Sequence, residues 1–134
     1  MIKNRSKQVS NALIMLWIML ALSILHFILS SLNIISASPY EVLSSDYVFF
    51  TNIFSLILSA CFIYLIGIGK NWARITYLVL FIIGMPSTIS ILLPILSTNL
   101  IYGILNVAGI ILGIIALILL FQKSSNTWFK SMKK

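Results

Sequence analysis

Four long apolar blocks restrict what this chain can fold into. They run over about residues 11–32, 47–69, 71–96 and 100–121, and Arg74, near the start of the third, is the one charged residue inside them. Helices of such length cross a hydrocarbon core of ~30 Å at about 1.5 Å per residue. Backbone groups in lipid must bond to one another, and no block alternates apolar with polar residues as barrel strands do. The pattern predicts an all-α, integral membrane four-helix bundle.

The composition excludes an ordinary soluble protein. Of the 134 residues, 60% are hydrophobic and only 8% are charged, whereas a soluble domain carries about 25% charged residues. We therefore expect a single transmembrane domain over residues 1–134, with a cytoplasmic tail over 122–134. The first block follows a basic segment and is longer than the apolar core of a typical signal peptide, which predicts an uncleaved signal anchor.

The basic residues predict the orientation of the bundle. All of them flank apolar blocks or, for Arg74, lie in the first turn of one; they are Lys3, Arg5, Lys7, Lys70, Arg74, Lys123, Lys130, Lys133 and Lys134. Because basic segments stay in the cytoplasm, both termini and the second connection are predicted to be cytoplasmic. The net charge of +7 then indicates contact with anionic lipid headgroups, at about 1 kcal/mol per basic residue, and not with nucleic acid.

The connections carry helix-end signals. Gly67 and Gly69 suit the C-terminus of the second helix, and Asn71 suits the N-cap of the third, which predicts a tight hairpin. In the first outer loop, Ser38, Pro39 and Glu41 form a capping box. This predicts a short interfacial helix over about residues 39–44, with a plain polar loop as the alternative.

Polar side chains interrupt all four blocks, and in the first and second blocks their spacing at i, i+3 and i+7 places them on one helix face. The candidates are His26 in the first block, Asn52, Ser55 and Ser59 in the second, Ser87, Thr88 and Ser90 in the third, and Asn106 in the fourth. All are predicted to lie between the midplane and roughly 10–12 Å outward of it, at 1.5 Å per residue. One hypothesis is that they line a small hydrated cavity open to the outside. The simpler interpretation, which we favour from sequence, is that they form hydrogen bonds between helices that need no ligand, or that the hydroxyls bond to their own helices.

Two further features concern helix packing. Gly109 and Gly113 form a GxxxG motif, which favours close helix approach either within the chain or in a homodimer. Pro86 and Pro94 in the third block predict a bent helix.

Aromatic and basic residues lie together at the predicted cytoplasmic surface. Rings in the headgroup layer beside cationic groups in water are typical of interfacial anchors. The predicted anchors are Trp72, Arg74, Trp128, Phe129 and Lys130.

The sequence offers no recognised catalytic or metal-binding set. It contains no carboxylate pair, Cys/His dyad or phosphate-binding loop, and its one cysteine, Cys61, lies in an apolar block. We expect no enzyme activity, no cofactor and no metal.

Two short motifs carry a resemblance to a known group of proteins. The second connection reads Gly69-Lys70-Asn71-Trp72-Ala73-Arg74, and the tail contains Trp128-Phe129-Lys130. Together they resemble small four-span bacterial inner-membrane proteins, largely uncharacterised, with a G-[KR]-N-W-A-R turn and a W-F-[KR] tail. The resemblance implies a bacterial plasma membrane and supplies no activity. Small multidrug exporters share the size and span number but have a glutamate in the first span, which this chain lacks.

Three functions remain open from sequence. The first is a non-enzymatic multi-pass membrane protein that acts by lateral contact with lipid or with a membrane-protein partner. The second is a small transporter or channel subunit that uses the outward-facing polar cavity. The third is an immunity or holin-like membrane protein, since those are also small, basic and helical.

Overall fold

The protein is almost entirely helical over the residues that the computed structural model describes, which are 5–31, 45–98 and 100–132. The helices are α1 (Lys7–Ser31), α2 (Ser45–Gly67), α3 (Asn71–Thr98), α4 (Leu100–Phe121) and α5 (Lys123–Ser131). The first four are each long and apolar enough to cross a membrane. This confirms the all-α class and the four apolar spans. The short helix predicted over 39–44 lies outside the described residues.

Helix boundaries differ from the predicted ones by a few residues. Helix α1 begins about one turn early because Ser6 caps it: the Ser6 Oγ accepts a hydrogen bond from the Val9 amide at 3.3 Å. Helix α2 runs two residues ahead of its predicted range at both ends, from Ser45 to Gly67. Helix α3 continues to Thr98 through both of its prolines, and so includes most of the connection predicted over residues 97–99 between the third and fourth blocks.

The four long helices form a ring in which neighbours in sequence are neighbours in space, and α4 returns to pack most extensively on α1. At one end of this ring α1 and α3 begin and α2 and α4 end. The described basic residues all lie at this end, which we call the basic end: Arg5, Lys7, Lys70, Arg74, Lys123 and Lys130.

A tight turn at the basic end joins α2 to α3. Gly69 has φ +85°, the left-handed conformation that glycine adopts without strain. Its amide donates to the Ile66 carbonyl and the Lys70 amide to the Leu65 carbonyl, both at 3.0 Å, which is a Schellman motif. The predicted hairpin is therefore present, but Asn71 is not the N-cap of α3. The Asn71 Oδ1 accepts a hydrogen bond from the Arg74 side chain at 2.8 Å.

The buried apolar side chains lie in the half of the ring nearer the basic end. They recur every three or four residues, which turns one face of each helix inward. They include Val9, Leu16, Ile63, Ile66, Ala73, Tyr77, Ala116 and Leu120 among the described residues. The outer faces remain apolar and exposed: Phe50, Ile83 and Ile101 are each 69% accessible. Such an exterior fits a lipid surrounding.

Candidate functional site

A cavity of about 370 Å³ lies inside the helix ring, beyond the core as seen from the basic end. Its polar lining comes from all four long helices: Ser23 and His26 on α1, Asn52, Ser55 and Ser59 on α2, Thr88 on α3, and Asn106 on α4. Along the helices, Ser59 lies about 12 Å from the end of α2 at Gly67, and His26 about 28 Å from Lys7, at 1.5 Å per residue. The cavity therefore begins near the middle of the bundle and extends away from the basic end.

The apolar lining surrounds these groups with leucine, phenylalanine and methionine side chains. The apolar and glycine residues are Met19, Leu22, Phe27, Leu56, Leu80, Phe81, Gly84, Met85, Leu105, Gly109 and Ile110. On each helix the lining positions recur at intervals of three or four, so each presents one inward face. A mostly apolar wall with a few placed polar groups is typical of small-molecule sites.

The cavity opens between α2 and α3. Among its described lining residues, the exposed ones are Asn52 and Ser55 on α2 and Leu80 on α3, while those on α1 and α4 are half-buried. Helices α2 and α3 are also the least extensively packed pair of neighbours, although a tight turn joins them. The exposed lining residues therefore indicate that the cavity is reached between these two helices.

Two lining hydroxyls are bonded to their own helices. The Ser23 hydroxyl donates to the Met19 carbonyl and the Thr88 hydroxyl to the Gly84 carbonyl, both at 3.0 Å. Because a hydroxyl has one hydrogen, each of these groups can only accept a further hydrogen bond. Asn52, Asn106 and His26 bring side chains that contain both donor and acceptor atoms to the same cavity.

The structure brings together six of the eight predicted polar residues and leaves out two. Ser87 and Ser90 do not line the cavity; both are exposed and donate to carbonyls of α3 at 2.8 and 2.9 Å. Ser90 lies about 200° around the helix from Thr88 at 3.6 residues per turn, so both cannot face inward. The small residues of the lining, Gly84 and Gly109, lie one turn from Thr88 and Asn106; neither is among the predicted cavity residues, and Gly109 is predicted to serve helix packing.

The two glycines of the GxxxG motif have different surroundings. A Cβ at Gly113 would lie 2.6 Å from the Phe81 ring and 3.3 Å from the Met19 sulfur, so this position receives side chains of α3 and α1. A Cβ at Gly109 would meet nothing within 4 Å, because it would enter the cavity. Gly113 thus serves packing within the chain, and Gly109 enlarges the cavity.

A second cluster, at the basic end, is centred on the buried side chain of Arg74. Besides the bond to Asn71, its Nη1 donates to the Leu120 carbonyl at 2.7 Å. The guanidinium lies 4.9 Å from the Phe121 ring centre and 4.3 Å from that of Phe129. The last carbonyls of a helix lack partners and carry partial negative charge, and aromatic faces attract cations. Arg74 therefore joins the start of α3 to the end of α4 and to α5.

Helix α5 folds back against the basic end. The extended backbone of Gln122 separates it from α4, and the Ser125 hydroxyl donates to the Leu119 carbonyl at 2.6 Å. Phe129 is fully buried and Trp128 nearly so. A Cβ at Gly69 would lie 2.9 Å from Met132, so the C-terminal end of α5 packs against the α2–α3 turn.

The predicted interfacial anchors need correction. Arg74, Trp128 and Phe129 are buried within the protein and cannot place their side chains among lipid headgroups. Trp72, which is 55% accessible, and Lys130 are exposed, and they remain predicted interfacial anchors. The tail predicted over 122–134 contains the helix α5 over Lys123–Ser131.

No protein-family model, curated protein or solved structure matches this chain. The resemblance carried by the turn and tail motifs stays a prediction. Residues of the two motifs, Arg74 and Phe129, do lie in contact.

Proposed function

We propose that this chain is a multi-pass protein of the bacterial plasma membrane that works without catalysis, by lateral contact with a molecule held in its cavity. The observation that carries the proposal is an internal cavity with polar groups from all four spans, open on the side between α2 and α3. In a membrane that side faces lipid. Because the cavity lies inside the ring, it favours a lipid or a small molecule as the bound partner. A partner helix would instead need a complementary face on the outside of the bundle.

The orientation with both termini in the cytoplasm is part of the proposal. It is supported by the position of all described basic residues at one end of the ring, where all but Arg74 are exposed. Basic residues concentrate on the cytoplasmic side of membrane proteins and attract anionic headgroups there. With this orientation the cavity lies in the outer half of the bilayer.

Binding without catalysis is supported by the chemistry of the walls. His26 is the one titratable side chain among the described lining residues, and the recognised acid–base and nucleophilic schemes need a second group in reach.

The test is native mass spectrometry of the full chain released from native membrane vesicles. We expect the wild-type protein to carry a bound small molecule and the Gly109→Leu variant to lose it, since leucine there enters the cavity. Ala21→Leu, at an exposed position of α1 outside the lining, is the matched control and keeps the molecule. A wild-type chain without any bound molecule contradicts the proposal.

A transporter or channel subunit is the second candidate, favoured by polar residues from four helices in one cavity. It requires access from water. In a Cys61→Ser background, a Ser59→Cys variant of a transporter reacts with membrane-impermeant thiol reagents from one or both sides. A cavity reached only from lipid leaves that cysteine protected. The immunity or holin-like alternative stays a prediction from sequence.

A further inference from the structure

The charge of the cavity walls restricts the class of molecule that they can hold. The described lining residues include no carboxylate, ammonium or guanidinium group. A charged ligand buried among them would lose its hydration without gaining an ion pair, which is strongly unfavourable. A neutral ligand fits these walls.

The hydrogen-bonding groups restrict the ligand further. Ser23 and Thr88 can offer only acceptor oxygens, since their hydrogens are bonded to α1 and α3 carbonyls. The amides of Asn52 and Asn106 contain donors and acceptors. A hydroxyl group on a ligand both donates and accepts, and so can use both kinds of partner. An ester or ether oxygen can only accept a hydrogen bond, so it cannot bond to the hydroxyl oxygens of Ser23 and Thr88, which also only accept.

The shape and access of the cavity indicate where such a ligand comes from. Apolar side chains such as Phe27, Leu56 and Phe81 line the same space, and the opening lies between two membrane-spanning helices. The volume of about 370 Å³ equals the share of about a dozen liquid waters. It accommodates a small polar head and the first part of a chain, with the remainder leaving between α2 and α3.

From these observations we propose that the cavity binds a neutral amphiphile with a hydroxyl-bearing head, of the acylglycerol class, which enters from the bilayer. This assignment rests on the function proposed above and names the ligand class of the same site.

The experiment uses the purified full chain in phosphatidylcholine nanodiscs and four photoreactive probes with one common acyl chain. Their heads are a glycerol monoester, a methyl ester, a carboxylate and a trimethylammonium. We expect the glycerol monoester to label cavity-lining peptides about tenfold more than the methyl ester, the ratio that one to two net hydrogen bonds produce. Both charged probes should label these peptides less than the glycerol monoester does.

Variants assign the labelling to the cavity. Asn52→Leu and Asn106→Leu should each reduce the preference for the glycerol head, whereas Ser90→Leu, a polar residue of α3 outside the lining, should leave it unchanged. Gly84→Leu and Gly109→Leu fill the cavity from two different helices and should each abolish labelling. At both glycines a Cβ meets nothing within 4 Å, so these variants have room for at least the first added carbon, and size-exclusion chromatography verifies their folding.

Several outcomes would overturn the assignment. If the methyl ester labels these peptides as strongly as the glycerol monoester, the hydroxyl has no role in binding. If a charged probe labels them more strongly, the preferred ligand is not neutral. If 1,2-hexanediol added to the buffer displaces the bound probe, the ligand does not enter the cavity from the bilayer. A charged molecule found on the native chain refutes only this ligand class, whereas a native chain with an empty cavity refutes the proposed function itself.

Discussion

At the scale of single residues, Arg74 has the most demanding surroundings. Its side chain is buried, bonded to Asn71 and to the Leu120 carbonyl, and placed between the rings of Phe121 and Phe129. Lysine keeps the charge but lacks the planar group that bonds and stacks at the same time. The identity of this residue should therefore matter more than its charge.

We expect Arg74→Lys to lower the stability of the protein by about 2 kcal/mol, the range of one hydrogen bond to a charged group. The measurement is thermal unfolding in detergent, followed by circular dichroism. Lys70→Ala, at an exposed basic position of the same turn, should change little. Equal stability of Arg74→Lys and wild type would show that charge alone suffices.

Gly69 provides a second prediction at this scale. Alanine there must adopt a left-handed conformation, which costs about 1–2 kcal/mol, and its Cβ lies 2.9 Å from Met132. Gly67→Ala is the matched control, since a Cβ at Gly67 meets only Leu13 at ordinary distances of 3.8 and 3.9 Å. Gly69→Ala should lower the unfolding midpoint clearly more than Gly67→Ala, and the reverse order would contradict the Schellman turn.

At the scale of elements, α5 determines how the basic end is closed. It covers Arg74 and the α2–α3 turn, and holds the corner with α4 through the Ser125 hydroxyl and the Asn126 amide, which donates to the Phe121 carbonyl at 3.0 Å. Its docking depends on the ring of Phe129, which is fully buried.

Phe129→Ala should undock α5 and cost about 3–5 kcal/mol, as for other buried aromatic rings. Limited trypsin digestion measures the docking, because Lys123 and Lys130 lie in α5. We expect cleavage at these lysines to accelerate at least tenfold in Phe129→Ala. Thr127→Ala, at an exposed site of the same helix, should be cut at the wild-type rate. An unchanged rate in Phe129→Ala would mean that α5 docks without that ring.

At the scale of the whole molecule, the two ends of the helix ring differ in charge. The exposed basic residues lie at one end, and the exposed Asp46 lies near the start of α2 at the other. If this difference sets the orientation, the basic end faces the cytoplasm.

Single-cysteine labelling in intact cells tests the orientation in a Cys61→Ser background. Asp46→Cys should react with an impermeant maleimide added outside. Lys70→Cys should react only after the membrane is permeabilised, because it lies at the basic end. The opposite pattern would reverse the proposed orientation.

The sequence predicted those features that depend on one helix at a time. Lengths and hydropathy located the four spans, and residue spacing located the shared face of Asn52, Ser55 and Ser59. It misplaced Ser87 and Ser90. Spacing alone separates Ser90 from Thr88 by about 200°, but it does not show which side of α3 meets its neighbours. The sequence could not predict the hydrogen-bond partner of Arg74 for a different reason. A backbone carbonyl at Leu120 has no signature in the sequence, and the buried rings of α5 have the composition of a surface anchor.

The bundle should not be equally stiff along the bilayer normal, because its buried core lies near the basic end and its cavity lies beyond that core. A filled half resists deformation because its atoms are closely packed, whereas a hollow half yields by moving helices about a fixed pivot. Deformation of the bundle should therefore be greater where the cavity lies than where the core is packed.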